Sequence, residues 1–119
     1  MNQYTLIARK NIENQYDSEC SIYELKPKIV NNITKDVETE VFKNKKCRIS
    51  FEDIYVNTDT EANKTQKIKL FIAPELEIKP GSLIIVTGRG RTTKYKNSGM
   101  PAVYDTHQEI ILELWKGWA

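Results

Sequence analysis

His107 stands between Asp105 and Glu109, a spacing that would let a carboxylate orient an imidazole acting as a general base. Such a base needs a nucleophile, and Cys20, Cys47 and the hydroxyl residues have no local setting that would activate one. An ordinary hydrogen bond near a strand start is the expected role for His107. Cys20 and Cys47 carry no metal-ligand pattern around them, and the single histidine lies far along the chain, so the ligand count for zinc is not met. Both thiols are expected to be reduced and partly buried. Asp53, Asp59 and Glu61 are too irregularly spaced for a calcium loop. The expectation is therefore no enzyme: no catalytic residue, no cofactor and no metal.

A denser signal lies between Arg89 and Gly99. Arg89, Arg91, Lys94 and Lys96 supply four cations without an acid among them, and Tyr95 is interleaved. Cations neutralise phosphates and a tyrosine ring can stack on a base, so this run is a candidate contact for DNA or for a channel, or for a neighbouring subunit. A solvated hairpin loop whose charges protect a sheet edge explains the same residues. The Gly88-Arg89-Gly90 spacing does not make a phosphate loop, because neither Gly-Lys-Ser nor Gly-Lys-Thr follows it and no helix start is apparent. Beyond it, Met100, Pro101 and Tyr104 form an apolar loop end. With Trp115 and Trp118 they are a candidate partner surface, or else a packed barrel corner.

The elements that must hold these residues are mostly strands. At 119 residues the chain fits one domain, 1–119, with one modest core. No run nears the ~18 apolar residues of a membrane span. The N-terminus lacks the pattern of a signal peptide, which points to a cytosolic, soluble product. Net charge is +2, so the distribution of charge says more than its sum.

Tyr4, Leu6 and Ala8 alternate with Thr5 and Ile7 as in a first strand. Ile22 to Ile33 reads as a strand with Pro27 at an edge position, or as two short strands. Val37–Phe42 and Cys47–Phe51 read as a hairpin turning at Asn44-Lys45. Residues 57–66, nearly without apolar side chains, read as a long, exposed, mobile loop. Ile68, Leu70 and Ile72 alternate in a strand that Pro74 stops. The Pro80-Gly81 turn then launches Leu83–Thr87, apolar on both faces. Residues 109–118 fit either a strand or one face of a helix, and their β-branched isoleucines favour a strand. The sum is an all-β barrel or sandwich of about six to eight strands with one or two long exposed loops.

The run from Lys94 through Met100-Pro-Ala-Val-Tyr-Asp-Thr-His to Glu113, ending Trp115-Lys-Gly-Trp-Ala, with Ile78-Lys-Pro-Gly-Ser-Leu-Ile-Ile-Val-Thr-Gly before it, resembles the small minor capsid proteins of long-tailed phages and prophages of Gram-positive bacteria. The resemblance is specific over 72–119. It implies a virion protein of the head–tail connector, made in the host cytoplasm, of the head-completion or stopper type. It also implies a ring of roughly twelve copies near packaged double-stranded DNA. Its partners would be portal, adaptor and tail proteins, with no membrane and no small-molecule ligand. The segments 57–66 and 88–99 would be the channel candidates. A pairing of Glu38 and Glu40 with Lys67 and Lys69 of a neighbour would be one way to close the ring. From another class, a small oligonucleotide-binding barrel using residues 88–99 would explain the same basic run.

Overall fold

Alternation of apolar with polar side chains builds most of this protein, because successive residues of a strand point to opposite faces. The structure is a computed structural model that describes residues 2–57 and 62–118. A helix α1 (Gln3–Glu13) precedes seven strands: β1 (Ser18–Val30), β2 (Ile33–Asn57), β3 (Ala62–Ile72), β4 (Leu83–Gly88), β5 (Arg91–Asn97), β6 (Ala102–Val103) and β7 (Gln108–Leu114). They form one antiparallel sheet in the order β3-β2-β1-β4-β5-β7-β6. A further pairing of β3 with β7, from Ile68↔Leu112 to Ile72↔Gln108, closes the hydrogen bonding into a ring. The all-β expectation and its strand number hold.

Each ring strand sends alternate residues inward. Cys20 and Ile22 of β1, Cys47 of β2, Leu70 and Ile72 of β3, Ile84 and Val86 of β4, Tyr95 of β5, and Ile110 and Leu112 of β7 make the core. Burying an aliphatic side chain fully is worth about 1.5–3 kcal/mol, so these positions carry most of the drive to fold. The two cysteines are free and both are fully buried, deeper than the sequence suggested.

Several local expectations are overturned. Tyr4 to Ala8 is helix, not strand. Asn2 caps it, its Oδ1 accepting the Thr5 N–H at 2.8 Å, and the half-buried Thr5, Arg9, Ile12 and Glu13 recur at helical spacing. The short alternation of Tyr4, Leu6 and Ala8 misled because none of these residues is buried. Arg9 pins the helix, pairing with Glu13 at 2.6 Å and also with Glu75.

The expected hairpin at Asn44-Lys45 is instead part of one uninterrupted 25-residue strand, β2. The turn lies earlier, at Asn31-Asn32, whose φ of 52° and 63° suit the type I′ geometry that matches strand twist. Asn44 does take φ 49°, but as a bulge residue whose N–H donates to Ser21 Oγ at 3.2 Å. Pairing slips there, from Cys20↔Lys45 to Ile22↔Phe42 to Tyr23↔Glu40. A straight strand of 25 residues would run ~80 Å, beyond the protein's longest dimension of 52 Å, so β2 has to bend.

The 57–66 loop is also revised: β2 reaches Asn57 and β3 begins at Ala62, paired in register, while 58–61 lie outside the described residues. The 88–99 loop is mostly strand β5, and β7 settles residues 108–114 as strand.

Two ribbons leave the ring. β4 stops pairing with β1 at Tyr23↔Leu83, so Glu24–Val30 and Ile33–Thr39 continue as a two-stranded arm of ~23 Å. Pro27 is tolerated because, among the described residues, each strand of this arm has only one partner. The far half of β2 and β3 extends past the last β3–β7 pair in the same way.

Candidate functional site

β4 and β5 turn at Arg89-Gly90, with φ of 52° and 75°, and this hairpin fixes where each basic residue points. A hairpin turn between two strands is also not a phosphate loop, which would open a helix. Thr93 faces Val86, and Tyr95 faces Ile84, both on the inner side. Lys94 and Lys96 alternate with them and project outward beside Ile85 and Leu83 in register. The cation run is thus divided between two faces.

Tyr95 is only 6% exposed, so it is a core residue and cannot stack on a base. That removes the aromatic platform from the basic-loop reading and leaves phosphate contact alone. Arg89 is 82% exposed along its side chain and engages Asp17, whose Oδ2 accepts its Nε at 2.9 Å and its Nη2 at 2.7 Å. The guanidinium holds the Asp17 carboxyl below its usual range. Behind this pair lies a half-open cleft of about 480 Å³ at the ring mouth, with Asp17, Arg89 and Arg91 at its rim and Ile49, Val86 and Tyr95 at its floor.

The five residues of the expected partner surface do not come together. Met100, 83% exposed, and Pro101 and Tyr104 surround β6, which pairs with the start of β7. A second cleft of about 310 Å³ separates Met100, Pro101 and Val103 from Leu76 and Ile78. Trp115 and Trp118 follow the other end of β7. Their rings meet edge to face at 4.7 Å, Trp118 Nε1 donates to Glu38 at 3.2 Å, and the Trp115 N–H donates to the Lys94 carbonyl. The tryptophans therefore brace the base of the β1–β2 arm.

His107 is held in place from every side. Its ring stacks on Tyr104 at 5.0 Å, Nδ1 lies 2.9 Å from Thr106 Oγ1, and Nε2 lies 3.2 Å from Glu109 Oε2. Burial pulls the Glu109 carboxyl up, but His107 and Lys69 outweigh it and hold it below its usual range. Lys69, its own pKa raised by Glu109, also reaches Glu52 at 3.5 Å. Asp105 makes none of these contacts. The hydrogen bond that the Cys47 thiol donates to Cys20, together with burial, pushes its pKa up, so it stays protonated. Among the described residues no group of three or more His, Cys, Asp or Glu side chains is placed to hold a metal. Asp59 and Glu61 lie outside the described residues. No helix among them is long and apolar enough to cross a membrane.

The suggested pairing of Glu38 and Glu40 with Lys67 and Lys69 meets competition within the chain. Glu38 accepts from Trp118, Glu40 accepts from the Tyr23 hydroxyl at 2.9 Å, and Lys69 sits between Glu52 and Glu109.

Two buried amides escaped the sequence reading. Gln108 Nε2 donates to the carbonyls of Ala73 and Leu76 at 2.8 and 2.6 Å. Asn97 Nδ2 donates to those of Ile78 and Lys79, while its Oδ1 accepts the Gly99 N–H. Together they fasten the 73–80 segment under the ring. A polar residue at an inward register position, such as Asn97 two places after Tyr95, was the available signal.

The fold so defined is an all-β ring of antiparallel strands with one helix and two projecting arms. Among solved structures it is similar to the phage-like element PBSX protein xkdH from Bacillus subtilis, with a TM-score of 0.50 and 12% sequence identity over 81% of this chain and 91% of that one. At that identity the likeness is one of fold. No family model matches the sequence, and no curated protein matches it.

Proposed function

We propose that this chain is a structural protein of a phage or prophage virion, of the head–tail connector and specifically the head-completion or stopper type. Copies assemble as a ring below portal and adaptor, help to retain packaged DNA, and offer the tail its seat. The observation that carries this reading is the fold shared with a protein of a phage-like element along nearly all of that protein's length. The sequence resemblance of 72–119 to phage minor capsid proteins points the same way, and a strand-built ring suits a stopper better than a helical adaptor. A fold likeness supports function only by association, so the test has to be made on particles.

Disruption of the coding sequence in its phage, followed by electron microscopy and measurement of DNA per head, is that test. The expected particles are tailless heads that lose their DNA, with normal particles restored by the gene in trans. Complete, infectious particles lacking the protein would overturn the proposal.

A further inference from the structure

In an antiparallel pair, directly opposed residues share a face, so the register of the β1–β2 arm sorts its side chains unambiguously. One face carries Leu25, Pro27 and Ile29 opposite Glu38, Asp36 and Thr34. The other carries Lys26, Lys28 and Val30 opposite Val37, Lys35 and Ile33, with Glu24 opposite Thr39 at its root, where Lys79 lies 3.9 Å from the Glu24 carboxylate. One side of the arm is thus apolar and acidic, and the other is apolar and basic. Ile29 is 73% exposed and Ile33 58%, although a two-stranded ribbon alone in water is marginal at best. Pro27 has no N–H to offer at the outer edge of β1, which disfavours strand addition there and directs contact to the faces.

We infer that this arm is the contact by which one copy of the chain binds the next, the acidic face of one ribbon lying on the basic face of its neighbour. Both halves of the contact are on every copy and they differ, which is the condition for a head-to-tail interface that closes into a ring. The apolar residues of the two faces become mutually covered, and Asp36 and Glu38 meet Lys26, Lys28 and Lys35. Trp118 donates to Glu38 at 3.2 Å, which ties the base of the arm to the segment after β7. The assignment rests on the ring reading above but is tested separately from it.

Sedimentation velocity of the full chain over a range of concentrations and salt provides the test. The wild type is expected to gain mass with concentration, less so at high salt. The variants Lys26→Glu/Lys28→Glu/Lys35→Glu and Asp36→Lys/Glu38→Lys should each need about tenfold or more protein to associate, because like charges then face one another. An equal mixture of the two should associate as the wild type does, since each supplies the face the other has lost. That rescue also shows that both variants are folded. A wild type that stays monomeric throughout, variants that associate normally, or a mixture without rescue would each overturn the inference. So would wild-type binding to duplex DNA that the lysine variant alone loses, without any self-association. Arm-dependent association in a protein absent from virions would leave this contact standing and sink the virion reading alone.

Discussion

Arg89 and Asp17 are held together by two hydrogen bonds to a single carboxylate oxygen, joining the β4–β5 turn to the entrance of β1. The pair is exposed, so Arg89→Ala should cost less than about 1 kcal/mol. Its pH dependence has a definite sign. The Asp17 pKa is depressed below its ordinary 3.8, so the contribution is present above that value and is lost as pH falls through the folded one. Urea unfolding should separate wild type from Arg89→Ala at neutral pH, and the two should converge in acid.

Gly88 sits against Ser18. A Cβ at position 88 would lie 2.1 Å from Ser18 Oγ and 2.8 Å from Ser18 Cβ, so something must move. Gly88→Ala should lower stability by about 1–3 kcal/mol. Ser18→Gly in the same chain should recover most of that loss, a coupling that a double-mutant cycle would read directly.

Gln108→Leu keeps the bulk of the side chain and removes both donors that hold the Ala73 and Leu76 carbonyls. Leaving such groups unpaired costs about 1–3 kcal/mol, and the loss should be local before it is global. Faster amide exchange in residues 73–80, with the ring strands still protected, is the expected result.

Among the described residues the buried Tyr16 hydroxyl has no hydrogen-bond partner, and burial pushes its pKa from 10.0 up to about 12. The unfolded chain ionises first as pH rises. Stability is therefore complete below about pH 10 and falls as pH climbs toward 12. Tyr16→Phe should flatten that part of the stability profile and leave neutral-pH stability equal or higher by up to about 1 kcal/mol.

Period-two patterning made the inner ring strands readable, since Ile68, Leu70 and Ile72 or Leu83 to Thr87 are set by burial on the core. The same patterning failed where burial ends. Tyr4, Leu6 and Ala8 alternate by chance on an exposed helix, and the arm keeps strand geometry with little core to specify it. Asn44 and Asn31-Asn32 all take positive φ, and only pairing partners tell a bulge from a turn. The basic run was visible as a charge cluster. Its division between two faces depended on the register of β5 with β4, which placed Tyr95 in the core. The two-sided charge of the arm was equally hidden, because it needs Pro27 opposite Asp36 and Lys28 opposite Lys35.

β2 runs without a break from the tip of one arm, through the wall of the ring, into the second. Such a strand is a lever. A load applied at Ile33 travels along covalent backbone to Asn57 without crossing a loop, and near Phe42 and Asn44 the pairing with β1 shifts register. Were a neighbour to bind the first arm as inferred above, one continuous backbone would join that contact to the second arm.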